Sequence, residues 1–545
     1  MFVNRAQVLA AQGKLPEARA AHEKALAICE RLALSDPSDT LWQSDLADCH
    51  LCLAHLEQAE GNLNAARAAF ERALICIERV AQREPGDAVW QRQLGLGGCY
   101  NELGILAKKQ GDLKEALAAH EKALAIRERL AQSDPGSRST YQHSLSSSFL
   151  CLGELSEMEG DLKAARAAYE KALAIRERLL LDHPGNNEWQ QDVSNSYKIL
   201  GDLAKLEGDL QAARVAYEKA LAIRERLAWS DPQNAVWQQD VSSSYHKLGR
   251  LAHLEGDLKA ARAFYEKALA VRERLAQSDP TSAERQQLLC RSYDHVGDMA
   301  QVMDDLTAAR AAHEKVLAIR ERLAQSDPTN ADWQRDLSTT YRKLGGLAQV
   351  EGDGQAARSA YEKSLAIRER LARRDPSNVD WQRNLFFSYN ELGDLAQAQG
   401  DLQAARPAHE KAFAIRERLA RRDPNNADWQ RELAVGHEYL GALAQAEGDL
   451  KAAHAAYAKE REIACKMVGT MPGAPAVCSV LGYACLKEAE LLATIEPGTP
   501  KATLRAILEE GRAPLLKLKQ AGKLPPLGGP ATRPPGDCAE DAGVS

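Results

Sequence analysis

The sequence predicts an all-α solenoid of antiparallel helix pairs on three observations: a fixed repeat of 48 residues, two helix-capping residues in every repeat, and helical periodicity between the caps. The period is carried by Pro37, Pro85, Pro135, Pro184, Pro232, Pro280, Pro328, Pro376, Pro424 and Pro472, spaced by 48 residues apart from one step of 50 and one of 49. A tryptophan follows five residues later at Trp42, Trp90, Trp189, Trp237, Trp333, Trp381 and Trp429. By length alone, 545 residues would divide into three or four globular domains. About 11 such units make it a single elongated array in which each repeat contacts its neighbours.

Within a unit the elements follow from the caps. After Pro328, Asn330 is the N-cap of a first helix, Gly352 the residue just past its end, and Asp353 the N-cap of a second. The first cap recurs at Asp39, Asp87, Asn186, Asn234, Ser282, Asn378 and Asn426, the second at Asn62, Asp112, Asp161, Asp209, Asp257, Asp305, Asp401 and Asp449. About 20 residues between caps give helices roughly 30 Å long. Turns this short make the two helices antiparallel.

The string Leu344, Gly345, Ala348, Gly352, Ala357, Tyr361, which returns in each unit, resembles the tetratricopeptide repeat. The unit is about two turns per helix longer than the family's roughly 34 residues, so it is similar to the long-helix branch that includes kinesin light chains. The resemblance covers about residues 1 to 495 and implies a right-handed superhelix of helix pairs, working as a non-catalytic protein-interaction scaffold. It divides the chain into a partial N-terminal repeat (1–36), nine tandem repeats (37–471), a degenerate C-terminal capping repeat (472–522) and a disordered Pro/Gly-rich tail (523–545).

Composition narrows the function. With 77 acidic against 70 basic side chains and a net charge of −7, a basic face for nucleic acid is not expected. No stretch approaches the ~18 apolar residues of a membrane span, and Met1-Phe2-Val3-Asn4-Arg5 does not begin a signal peptide, so a soluble cytoplasmic protein is expected. The 11 cysteines read as reduced thiols, and Cys49-His50-Leu51-Cys52, mid-helix and without a second pair, as packing. No phosphate loop, nucleophile elbow or metalloprotease motif is present, so neither an enzyme nor a cofactor is expected.

Because the units are near-copies, columns can be compared within the chain. The second helix hardly varies: Tyr217 to Arg226 returns as Tyr361 to Arg370. Its Ala357, Tyr361 and Leu365 form the packing stripe, and Glu369 and Arg373 an i,i+4 pair on the wet side, so its charge run reads as structural. His22, His120, His313 and His409 fall in the column of Tyr217 and Tyr361, and His50 and His437 in that of Tyr341, as core substitutes for an aromatic.

The first helix is where the units differ. By the resemblance it lines a concave groove, whose outward columns take the ligand. The first column contains Lys198, His246, Asp294, Arg342 and Asn390; the next, one turn on, Asp202, Arg250, Asp298 and Asp394; a further turn brings His253. Phe387 replaces the Ser243 or Thr339 of its column and is a candidate hot spot, or else packs on the adjacent helix. The family's clamp for a chaperone C-terminal carboxylate is missing, since Lys198 is followed by Asp202 and Arg342 by Gly346. The mixed signs point to a protein partner carrying both charges. The alternative is a regulatory or sensor array controlling a separately encoded or missing effector enzyme.

Three irregularities stand out. Pro407, inside a second helix, is expected to bend it near residues 403–407. Asp304 takes a glycine's place in the interhelical turn, an αL position. The first unit begins inside its first helix, without the N-cap and tryptophan of complete units, which leaves an end open to self-association or marks a late start or a fragment.

Overall fold

The structure, a computed structural model, describes residues 15–83, 89–133, 138–471 and 473–521. Helix α1 (Leu15–Ser35) is followed by ten pairs: α2 (Thr40–Ala59) with α3 (Leu63–Arg83), α4 (Val89–Lys109) with α5 (Leu113–Ser133), α6 (Arg138–Met158) with α7 (Leu162–Asp182), α8 (Asn187–Leu206) with α9 (Leu210–Ser230), α10 (Ala235–Leu254) with α11 (Leu258–Ser278), α12 (Ala283–Val302) with α13 (Leu306–Ser326), α14 (Ala331–Val350) with α15 (Gly354–Arg374), α16 (Val379–Ala398) with α17 (Leu402–Arg422), α18 (Ala427–Ala446) with α19 (Leu450–Thr470), and α20 (Pro475–Ile495) with α21 (Lys501–Gln520). Among the described residues there is no strand. The chain forms two compact units, Met1–Arg285 and Gln286–Ser545. Each is an α-solenoid in which helices pack on their chain neighbours, and in the second α18 also touches α20.

The caps act where the sequence places them. Asn330 Oδ1 accepts from the Trp333 amide, and Asp353 Oδ1 from the Ala356 amide at 2.9 Å. At the end of α14, Gly352 N–H donates to the Gln349 carbonyl and Asp353 N–H to the Ala348 carbonyl, with Gly352 at φ +82°. This two-bond closure requires a left-handed residue. Asp304 takes that role at φ +62°, as expected. The first cap at Asp87 and the tail at 523–545 lie outside the described residues, as do Met1 to Lys14.

Each pair from α4 with α5 to α18 with α19 is locked by a glycine against an aromatic ring. A Cβ on Gly345 would stand 2.7 Å from Tyr361, and one on Gly201 2.6 Å from Tyr217. Only glycine lets the helices approach this closely. Where histidine fills the ring column it is buried as expected: His22, His120, His313 and His409 are all nearly inaccessible, as is His50 in the neighbouring column. His437 is only half-buried. Helix α17 continues through Pro407 and has the same length as its equivalents α13 and α15.

Successive repeats are joined by a buried arginine that the sequence pattern had left within the charge run. Glu369 and Arg373 do face water, 3.7 Å apart. Arg368, one residue before Glu369, is buried: its Nε donates to Ser338 Oγ of its own repeat, and its Nη1 to Ser388 Oγ at 2.8 Å and the Asn384 carbonyl at 3.0 Å of the next. Arg176 does the same with Ser146, Ser196 and the Asp192 carbonyl, and Arg224 with Ser194, Ser244 and the Asp240 carbonyl. Burying a guanidinium is costly, and these directional acceptors offset the cost. Burial pulls Arg368 down to about 10, so it stays charged at neutral pH. At the N-terminal interface the equivalent slot holds two thiols, Cys29 and Cys49, with Sγ atoms 3.3 Å apart.

A second set of links joins successive repeats. Arg166, Arg214, Arg310 and Arg406 each pair with the glutamate at the end of the next first helix: Glu207, Glu255, Glu351 and Glu447.

Candidate functional site

The variable columns lie on the first helices, and the structure shows how many of their charges are already matched. In the first unit, Asp202 on α8 accepts from the Tyr217 hydroxyl at 2.7 Å and from Lys247 Nζ of α10 at 2.7 Å, with Lys198 Nζ at 3.7 Å. Burial pushes the Asp202 carboxyl up, but Lys247, the Tyr217 hydroxyl and Lys198 together outweigh it and hold the group below the usual carboxylate range. His246 lies with its ring 5.6 Å from that of Tyr265; Arg250 is half-buried and His253 exposed.

In the second unit, Lys343 Nζ of α14 lies 2.8 Å from Asp298 Oδ1 and 3.3 Å from Asp294 Oδ1 on α12. Arg320 Nη2 donates to Asp294 Oδ2 at 2.8 Å, and the His313 ring nitrogens stand 3.5 and 3.6 Å from Asp294 and Asp298. Despite deep burial, Lys343 and Arg320, with the hydrogen bond from His313, hold Asp294 well below the ordinary range. Arg342 Nη1 approaches Glu391 Oε1 of the next repeat at 3.5 Å. Of the candidates here, Asp294 and Asn390 are buried, whereas Asp298 and Asp394 keep 39% and 44% of their side chains accessible.

Asn390 and Phe387 belong to the packing as much as to the face. Turned with its oxygen toward Arg416, the Asn390 amide accepts from Nη2 at 2.6 Å and Nη1 at 2.9 Å. Phe387 is half-buried, its ring 4.5 Å from that of Phe386 and with Arg383 above it at 5.9 Å. It packs on the cluster of Leu385, Ala412, Ile415 and Leu419.

The mixed signs of the columns are thus satisfied in part from within the chain, by two lysines of a neighbouring column that the sequence pattern did not single out, Lys247 and Lys343; Tyr439 stands in the same register without a charge to offer. Its signal was available, since Lys247 and Lys343 are as far apart as Asp202 and Asp298. No group of three or more His, Cys, Asp or Glu among the described residues is arranged to hold a metal ion, and no described helix is long and apolar enough to cross a membrane.

Comparison with known proteins agrees with the architecture. The tetratricopeptide-repeat family matches residues 1–72, 96–135, 146–185, 195–226, 241–281, 289–329 and 388–424. No curated protein matches the sequence. Among solved structures, BtubC (BKLC) from P. vanneervenii is 24% identical, covering 48% of this chain and 92% of its own, with a TM-score of 0.38. The apo form of RapI is 13% identical over 77% of this chain and 98% of its own (TM-score 0.46). Aspartyl phosphate phosphatase F from Bacillus subtilis is 12% identical over 76% and 93% (TM-score 0.39). With its helix pairs, its glycine-on-aromatic contacts and family matches distributed between residues 1 and 424, the chain belongs to the tetratricopeptide-repeat family.

Proposed function

We propose that the chain is a scaffold that holds a segment of another protein along the face made by its first helices, each unit presenting its own stretch. The general role comes with the family, whose repeats are protein-interaction modules. One observation supports the finer reading. The second helices are near-identical and join repeats through recurring arginines, while Lys198, Asp202, His246, Arg250, His253, Asp298 and Asp394 change type from repeat to repeat and remain at least partly accessible. Surface that varies while its frame stays constant is what distributed recognition uses, many modest contacts adding up to affinity.

The test places a photo-crosslinking amino acid at His253, on the first-helix face, or at Glu218, exposed on a second helix. Partners joined in native extract from position 253 and not from 218 would establish the face. Equal yields from both, or capture from 218 alone, would overturn it.

A further inference from the structure

Asp202, Asp298 and Asp394 occupy one column at intervals of 96 residues, and each has the same two neighbours in register. The ring-column residue of the same repeat is the first: the Tyr217 hydroxyl at 2.7 Å from Asp202, His313 Nε2 at 3.6 Å from Asp298, His409 Nε2 at 3.8 Å from Asp394. The second belongs to the next repeat: Lys247 for Asp202, Lys343 for Asp298, and for Asp394 a tyrosine, Tyr439. The third aspartate therefore lacks the ammonium that the other two possess. Its neighbour in that repeat is Glu438, half-buried, and among the described residues no lysine or arginine lies within ion-pair distance of Asp394 or Glu438.

We infer that Asp394 and Glu438 form a cation-accepting site for a lysine or arginine side chain of a basic partner segment, which supplies from outside the charge that Lys247 and Lys343 supply from within. This rests on the reading of the first-helix face as the partner surface.

The charged and titratable groups around the site leave that position open, including Tyr361 of α15, whose hydroxyl donates to Gln349. On α16, Glu391 adds negative charge and is itself raised by burial, against the pull of Arg342 and Arg368. On α17, Arg416 is committed elsewhere: its guanidinium lies 4.5 Å above Phe386 and 5.3 Å from the Tyr439 ring, is bonded to Asn390, and has Glu432 at 3.6 Å. His409 is fully buried, and burial, then Arg416, hold it down to about 4, so it is neutral. Asn390 faces its Nδ1 at 3.4 Å, and its Nε2, without a hydrogen-bond partner, is aimed at Asp394 but falls short of it. On α18, Tyr439 stacks on His409. On α19, Glu460 is fully buried beside Glu438, where burial pushes it up to about 9; Tyr457 of the same helix and Tyr483 of α20 complete the surroundings.

The electrostatics match an unfilled cation site. Burial, then Glu391, push Asp394 up to about 7, with Arg416 opposing and Glu438 adding to the rise; burial likewise pushes Glu438 up to about 7. Carboxyls lacking a counter-charge bind protons near neutrality, and a partner ammonium would displace them. A metal ion is not the occupant, since the donors are not arranged for one. Asp394 remains 44% accessible, so a flexible basic side chain can reach it without opening the core.

The test uses the full chain and a fluorescein-labelled (Lys-Gly)4 peptide at physiological salt, read by fluorescence anisotropy. Asp394→Asn with Glu438→Gln is expected to weaken binding at least tenfold. A control that removes two carboxylates elsewhere, Glu218→Gln with Glu362→Gln on exposed second-helix positions, is expected to leave it unchanged. Tyr439→Lys restores the lysine present in the other two repeats, and is expected both to abolish peptide binding and to raise the melting temperature, a gain that a misfolded variant would not show. Equal weakening by the control pair, undiminished binding to the Nε-acetylated peptide, or no effect of Tyr439→Lys would each overturn the proposal. Crosslinking confined to position 253 alongside such a result would leave the interaction face standing and remove only its cation site.

Discussion

Lys343 Nζ lies 2.8 Å from Asp298 Oδ1 and 3.3 Å from Asp294 Oδ1, so one ammonium reaches back across a repeat boundary to two carboxylates of the preceding repeat. The two contacts are unequal in worth. Asp294 is buried and needs its cations, while Asp298 is 39% accessible and its pairing is screened by water.

Lys343→Met is therefore expected to destabilise the second unit by about 2–4 kcal/mol, because it leaves Asp294 buried with less compensation. Asp298→Asn is expected to cost less than about 1 kcal/mol. Denaturant midpoints of the two variants check this; equal losses would contradict the ranking.

Arg368→Ala removes the donor that joins two repeats, leaving Ser338, Ser388 and the Asn384 carbonyl short of a partner and a cavity behind. A loss of about 3–5 kcal/mol is expected. Arg368→Met, which keeps most of the volume and removes the buried charge, is expected to lose less. Hydrogen exchange of α15 and α16 amides would locate the damage at that interface.

Gly345→Ala places a methyl 2.7 Å from the Tyr361 ring and is expected to destabilise by about 1–3 kcal/mol, although alanine is the better helix former. Pairing it with Tyr361→Leu tests the cause. Thermal melts should show the double variant losing less than the sum of the singles.

Glu460 gives the second unit a pH dependence of defined sign. Its folded value is raised by burial to about 9 from an ordinary 4.5, so between those values the folded chain holds a proton that the unfolded chain has released. Stability is then greatest below about pH 4.5 as far as this group is concerned, and falls by at most about 1.4 kcal/mol per pH unit as pH rises toward 9. Glu460→Gln is expected to flatten the decline in denaturant midpoint between pH 5 and pH 9. An unchanged slope would show that the carboxyl finds a partner on ionising.

What the sequence disclosed and what it withheld follows from range. Asn330, Gly352 and Asp304 were legible because a cap or a left-handed turn is decided within a few residues. The buried histidines were legible because near-copies show them in a tyrosine's column. Arg368 was not, because its acceptors Ser338 and Ser388 lie 30 residues before and 20 after it, and arginine is by default a surface residue. Lys343 was missed for a related reason: it is one position from Arg342, about 100° around the helix, and that rotation turns it toward the preceding repeat.

The arginine staples also bear on how the length of such a chain can change. Each closes on the next repeat through the same kind of acceptors, so excising the 48 residues from 187 to 234 would leave Asn186 as the cap of α10 and bring Arg176 to Ser244 and the Asp240 carbonyl in place of Ser196 and the Asp192 carbonyl. Lys247 would then meet Glu154 where it now meets Asp202. The joint between repeats is interchangeable while the residues on the face are not. Recombination among near-identical repeats can thus lengthen, shorten or reorder the recognition surface in whole steps without exposing core, except at the ends, where Cys29 with Cys49 and Arg416 with Phe386 replace the common joint.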